Sequence, residues 1–515
     1  MKPINTSNST FSTFIEEGCL YVDKTAHLRR VIGDISGQYF LARPRRFGKS
    51  LMISTLRSIF EGKRELFKGL AIDTLDYDWQ TFPVIHLNMG SCVGSTIAEL
   101  RRNLMDLLST CARDLELKLA DDEYEVVAFR NLILDAERKY GPAVVLVDEY
   151  DKPLLGHLGK ESAKSIQELL KSFYSVIKTT EDKQRFAMIT GVSKFSKVSI
   201  FSDLNNLTDL SMQRDSATLL GYTQEELESN FADYITRLTK TLDLKRKQVI
   251  EEIREWYNGY RFEENAPTIY NPVSVMKCLV EQKFCNFWFE TGTPTFLIDL
   301  LKRQPMEPGG DLTVPASAFS AYEPEQLQVL PLLVQTGYLT ITGSRSFGGK
   351  TVYHLGYPNR EVDLSFTEIL AKGLGGIDDL ELNNSLMGVV KTLRQGDIDA
   401  LLTHLKVFFK GIPYDIQLSQ EKYYQTIFFV IFRMLNTEVE AESRSASGRV
   451  DAILKTPERI VLLEFKLHDS AETALKQIKS KEYSLQYQDD GRKLIRVGVA
   501  FDQKTRNLGE WLIEE

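Results

Sequence analysis

Three short strings in this chain carry residue types at spacings suited to phosphate chemistry. The first is RPRRFGKS, Arg43 to Ser50, set between the apolar runs YFLA and LMISTLRSIF where a strand should turn into a helix. At such a turn the first helical amides point at an anion, and the helix dipole favours negative charge. Lys49 is placed to reach β- and γ-phosphates and the Ser50 hydroxyl to bind Mg2+. Arg43, Pro44, Arg45, Arg46, Phe47, Gly48 and Leu51 form the rest of the expected cradle. The pattern GxxxxGK[ST] asks for glycine where Arg43 stands; arginine restricts φ but lends positive charge.

The second string is AVVLVDEYD, an apolar strand ending in Asp148-Glu149. Asp148 is expected to hold Mg2+ through water and Glu149 to polarise the attacking water. Alone, the string reads more simply as a buried strand tipped by two surface carboxylates. Following a phosphate loop, with one further strand between them in sequence, it points to ATP binding and hydrolysis. Ser193, after the run FAMITG, stands where a side chain would touch the γ-phosphate or the water, unless it is only a polar turn residue.

The third string is GRVDAILKTPERIVLLEFKL, in which Asp451 precedes Glu464 and Lys466. A turn at Thr456-Pro457-Glu458-Arg459 would fold it into a hairpin with Asp451 and Glu464 on adjacent strands. Glu464 and Lys466, two apart, share one face. Two carboxylates beside a lysine make a Mg2+ site that can activate water and offset charge on a scissile phosphate. The plainer reading is an amphipathic hairpin with ordinary surface charges.

These groups need a frame. Gln38–Ala42, Val84–Asn88, Ala143–Val147 and Arg185–Thr190 read as buried strands; Ser50–Phe60, Thr96–Glu116 and Glu161–Thr179 read as helices. That alternation predicts a parallel sheet with flanking helices. From Thr223 the pattern is helical, opened by a capping box, Thr223 to Glu226. A helix over Gln326–Gly337 and a hairpin of Tyr338–Thr342 and Thr351–Leu355 around GSRSFGGK suggest a winged helix. Leu364 to Phe409 is helical again. The last hundred residues predict a helix (Glu421–Leu435), two strands (Val450–Leu454, Ile460–Lys466), a helix (Glu472–Tyr483) and a strand (Leu494–Phe501). The expected domains are 1–220, 221–365, 366–410 and 411–515.

A length of 515 residues suits several domains, and the 43% hydrophobic content is ordinary for globular proteins. No apolar run nears the ~18–20 residues that span a bilayer, and MKPINTSNST lacks an apolar signal core, so a cytoplasmic location without a membrane partner is expected. Five scattered cysteines without a CxxC pair predict neither disulfides nor a zinc ribbon. The net charge of −8 argues against a broad nucleic-acid coat, although 465–506 holds nine basic and six acidic residues.

These strings, together with Tyr21-Val22-Asp23-Lys24-Thr25, Phe201 to Leu207, WYNGYRF from Trp256 and Tyr270-Asn271-Pro272, resemble the AAA-ATPase-like family often joined to a PD-(D/E)XK nuclease domain. The resemblance covers nearly the whole chain. It implies a P-loop ATPase sheet, a helical or winged middle region and a restriction-endonuclease-like α/β domain, with ATP and Mg2+ as cofactors and nucleic acid as partner. Arg43 in the loop is itself a family trait, and Val450-Asp451 replaces Pro-Asp. Glu421 matches an acidic position this fold often adds to the metal shell; Gln477, Lys481 and Tyr483 follow near the site. Asn258, Tyr260 and Asn271 are expected to hold loops. Two functions stay open: an ATP-gated nuclease, or a nucleotide-dependent switch whose terminal domain binds nucleic acid without cutting. The domain pair also suggests defence or mobile-element biology. Arg45, Arg46 and Arg214 are unranked candidates for an arginine finger, and homo-oligomerisation is an open possibility.

Overall fold

The computed structural model describes residues 1–92, 94, 96–119, 124–157, 160, 162–194, 206–288, 312–319, 329–375, 387–393, 395–411, 440–442, 451–466, 468–480, 487, 490–502, 504–505 and 507–515. The chain divides into two compact units, Met1–Thr291 with Leu312–Val362, and Gly292–Asp311 with Asp363–Glu515.

The first unit is built on five parallel strands, β1 (Gly37–Ala42), β2 (Val84–Asn88), β3 (Ala143–Asp148), β4 (Gln184–Gly191) and β5 (Thr208–Asp209), in the spatial order β2-β3-β4-β1-β5. All six residues of β3 are buried, as expected for a strand covered on both faces. The strand lying between the loop-bearing β1 and the acid-bearing β3 is β4, not the β2 that separates them in sequence. The helix Lys49–Phe60 leaves the β1 loop, while Ile97–Asp114 and Ser162–Thr179 fall close to their predicted spans. The helix Glu125–Tyr140 is an addition: its apolar positions Ala128, Phe129, Leu132, Ile133 and Ala136 pack inward, but Arg, Asn and Asp break the run when read along the chain.

Beyond residue 220 the unit is helical, and the Thr223–Glu226 capping box forms as its pattern predicts, with the Glu226 N–H on Thr223 Oγ1 at 3.2 Å and the Thr223 N–H on Glu226 Oε2 at 2.8 Å. Phe231, Ile235, Leu238, Ile253, Tyr257 and Tyr270 form a core that takes in Val22 from the N-terminal segment. A helix, Val329–Thr336, then leads into a three-stranded sheet, β6 (Thr313–Pro315), β7 (Thr340–Phe347) and β8 (Lys350–Gly356), in the order β6-β8-β7. GSRSF, expected as hairpin loop, is strand. The turn is only Gly348-Gly349, both at positive φ (56° and 76°), the conformation a two-residue hairpin turn requires.

The second unit carries β9 (Glu440–Glu442), β10 (Ala452–Lys455), β11 (Arg459–Lys466), β12 (Lys493–Asp502) and β13 (Asn507–Glu514), in the order β13-β12-β11-β10-β9. The β10–β11 hairpin is antiparallel; β11 and β12 run parallel, joined through the helix Ala471–Ser480. Ile453, Ile460, Leu462 and Ile478 pack between hairpin and helix. The expected helix Glu421–Leu435, and with it Glu421, Lys481 and Tyr483, lies outside the described residues, as do 201–205. Among the described residues no helix is long and apolar enough to cross a membrane.

Candidate functional site

In the first unit, Gly48 takes the left-handed conformation (φ 89°) as N-cap of Lys49–Phe60, and no atom comes within 4 Å of where its Cβ would be. The loop therefore turns sharply and leaves the helix amides open to an incoming group. Lys49 is buried and donates to the Arg43 and Pro44 carbonyls at 2.9 and 2.8 Å. Burial pushes its ammonium down to about 8, with Asp148 the strongest opposing charge, followed by Asp151 and Glu149.

Asp148, at the end of β3, accepts the Thr190 hydroxyl from β4 at 2.7 Å. Glu149 has a left-handed backbone (φ 55°), and its carboxylate lies where a Cβ on Gly90 would stand, 2.8 Å from Oε2. It is half-exposed and reaches Lys152 at 4.0 Å. A cavity of about 470 Å3 meets this ridge. Arg45 to Met52, Glu149, Lys152 and Val192 line it, together with Tyr21, Val22, Leu219, Tyr222, Pro272 and Met276. Its size lies within the ~300–1,000 Å3 usual for small-molecule sites. A lining that combines Arg45, Arg46 and Lys49 with apolar Val22, Leu219 and Met276 and with the polar run Asn5 to Ser9 suits a nucleotide.

Several expected cradle residues stand elsewhere. Arg43 does not line the cavity. Its guanidinium is buried, donates to the carbonyls of Ala42, Ser211 and Ser216 at 3.0, 2.6 and 2.9 Å, and stacks 4.0 Å over the Phe262 ring. Desolvation lowers its pKa to about 9. Arg43 therefore pins the segment after β5, and the structure does not bring its guanidinium to the cavity with Lys49 and Ser50. Pro44 likewise turns from the cavity, its ring 2.8 Å from where a Cβ on Gly337 would stand. Ser193 is buried, and its hydroxyl donates to Asp151 Oδ2 at 2.8 Å instead of facing the cavity.

Asp151 went unremarked in the sequence. Its Oδ2 also takes the Val192 and Ser193 amides, its Oδ1 has no partner among the described residues, and burial raises its pKa. The only signal was a third acid in VDEYD. The cavity's apolar wall was missed because Val22 and Met276 are distant in sequence.

In the second unit, Ala452 stands opposite Leu463, which sets Asp451 beside Glu464 at the open end of the hairpin. Asp451 Oδ2 accepts the Phe465 amide at 2.8 Å. Glu464 is buried, and its Oε1 accepts from Lys466 Nζ at 3.2 Å and from Gln477 Nε2. The structure thus brings together Asp451, Glu464, Lys466 and Gln477. Among the described residues no cluster of three or more His, Cys, Asp or Glu forms a metal cage. Two carboxylate donors suit a hard cation such as Mg2+ rather than zinc, which favours nitrogen and sulfur ligands.

A family profile described as a predicted AAA-ATPase matches residues 3–201, and one described as the PD-(D/E)XK nuclease superfamily matches 419–511. A protein of Azotobacter chroococcum mcd 1, described as "uncharacterized protein in vnfD 5′ region", is 35% identical over 517 residues, covering 96% of this chain and 95% of its own length. Among solved structures, the Aeropyrum pernix ORC1 protein in complex with DNA shares 13% identity at a TM-score of 0.25, covering 67% of this chain and 92% of its own. The ORC2 protein of the same organism, in ADPNP–ADP complexes, shares 11% identity at a TM-score of 0.30, covering 68% and 91%.

Proposed function

We propose that this chain, which belongs to the family of predicted AAA-ATPases joined to a PD-(D/E)XK nuclease-superfamily domain, couples ATP binding and hydrolysis in its first unit to Mg2+-dependent cleavage of DNA or RNA in its second. The observation that carries this reading is the presence, in one chain, of Lys49 within the field of Asp148 and Glu149, and of Asp451 beside Glu464 and Lys466.

In the first site Lys49 exchanges its two loop carbonyls for phosphate oxygens, and the Ser50 hydroxyl and Asp148 hold the nucleotide's Mg2+. Glu149 orients the water for in-line attack and takes its proton. In the second site Asp451 and Glu464 would hold a divalent cation, which would supply a Lewis acid for water and the scissile phosphate. Lys466 leaves Glu464 to stabilise charge on the phosphate, while Gln477 keeps the Glu464 carboxylate in place. The biological setting extends this reading to defence or mobile-element biology, with the protein acting in the cytoplasm.

Purified protein incubated with labelled single- and double-stranded DNA and RNA, ATP and Mg2+ or Mn2+ tests this. Cleavage should fall about 100-fold or more in Asp451→Ala and Lys466→Ala with ATP hydrolysis kept, and hydrolysis should vanish in Lys49→Ala. A second reading draws on the helix Val329–Thr336 followed by the β7–β8 hairpin, a winged-helix pattern: a nucleotide-dependent regulator whose terminal domain binds nucleic acid uncut. Protein that hydrolyses ATP yet cuts no substrate with either metal overturns the first reading in favour of the second.

A further inference from the structure

The chain leaves the first unit after Thr291 and again after Val362. Just ahead of both exits, one buried carboxylate gathers the backbone: Glu361 Oε1 accepts the amides of Phe287 at 2.7 Å and Trp288 at 2.8 Å. The carbonyl of the same Phe287 accepts from Arg46 Nη1 of the phosphate loop. Arg46 also lines the nucleotide cavity and holds a left-handed backbone, φ 65°, which a non-glycine residue adopts at a cost. One side chain thus stands between the cavity and the exits.

The Glu361 end is fixed. Asn359 Oδ1 accepts the Val362 amide at 3.0 Å, Asn359 Nδ2 donates to the Asn258 carbonyl at 2.7 Å, and Gly259 lies so close under Pro358 that any Cβ there collides with its carbonyl. The Arg46 end can exchange. Its acceptor at Phe287 is a neutral carbonyl, with the Glu361 carboxylate also attracting it, whereas a phosphate oxygen offers a charge-assisted bond roughly twice as strong, in a geometry the guanidinium fork matches.

We propose that Arg46 reports nucleotide state: a nucleoside triphosphate in the cavity draws its guanidinium off the Phe287 carbonyl and loosens the hold of Phe287 and Trp288 on Glu361. The inference rests on the nucleotide-binding reading above and adds its regulation. The coupling is reciprocal, so whatever strengthens the Arg46–Phe287 bond weakens triphosphate binding.

Hydrogen exchange followed by mass spectrometry on the full chain, without nucleotide, with ADP and with the non-hydrolysable ADPNP, tests it. ADPNP should slow exchange at Gly48 to Leu51 and speed it at the Phe287 and Trp288 amides about tenfold. In Arg46→Gln those two amides should exchange fast from the start, and ADPNP should change them no further; Arg46→Lys, which keeps the charge but not the fork, should fall between. Loop protection without change at Phe287 and Trp288 overturns the relay and leaves nucleotide binding standing. No response at either place overturns both. The wild-type measurement decides even if a variant does not fold.

Discussion

Lys49 and Arg43 show how far side-chain chemistry depends on surroundings. Both are buried cations six residues apart, each bonded to backbone carbonyls. Arg43 satisfies three carbonyls and a ring face and so is a fastener, whereas Lys49 has only two carbonyls and sits in the field of three acids. Its lowered pKa has a consequence. In the proposed site phosphate binds the charged ammonium, so affinity should be flat below about pH 8, where the free protein already holds the proton. Above that value each pH unit should weaken triphosphate binding about tenfold, since the proton must then be taken up on binding. Titration with a fluorescent ATP analogue between pH 7 and 9.5 measures this. A flat profile would remove Lys49 from the phosphate contact.

At the scale of elements, the second site depends on how closely a helix approaches a strand. The helix Ala471–Ser480 rests on β12 at Gly498, where a Cβ would stand 2.8 Å from the Leu475 amide and collide with the Ala471 carbonyl. Gly498 is in register with Glu464 on β11, so the same helix brings Gln477 to Glu464. Gly498→Val should lift the helix, lower stability by about 1–3 kcal/mol and separate Gln477 from Glu464. Urea unfolding and cleavage assays together check it. The expected result is a lower midpoint with cleavage reduced about tenfold or more and ATP hydrolysis retained; unchanged cleavage would show that Gln477 holds nothing the reaction needs. In the first unit, Phe47 packs edge-on against Tyr260 at 4.8 Å and Phe262 at 5.5 Å, which gives WYNGYRF a structural place behind the phosphate loop.

At the scale of the molecule, the division into two units predicts two unfolding transitions. A ligand raises the stability of the unit that binds it, by about 2.7 kcal/mol at 100 times its Kd. ADPNP should therefore lift one transition in scanning calorimetry and leave the other in place, and Lys49→Ala should abolish that shift. A single transition that moves as a whole would mean that the units unfold as one cooperative body.

Much of this protein was legible without coordinates, because its signals are local. A strand, a tight turn and a helix start lie within the dozen residues around Gly48, and strand period alone places Glu464 and Lys466 on one face. Apolar runs such as AVVLV marked the buried strands, since strands covered on both faces leave an unbroken hydrophobic record. Folding settled what depends on distant segments meeting. It placed β4 beside β1, turned Arg43 toward Ser211 and Ser216, engaged Ser193 with Asp151, and walled the cavity with Val22 and Met276. A side chain's neighbours across hundreds of residues are chosen by packing, and packing leaves no short-range pattern in the sequence.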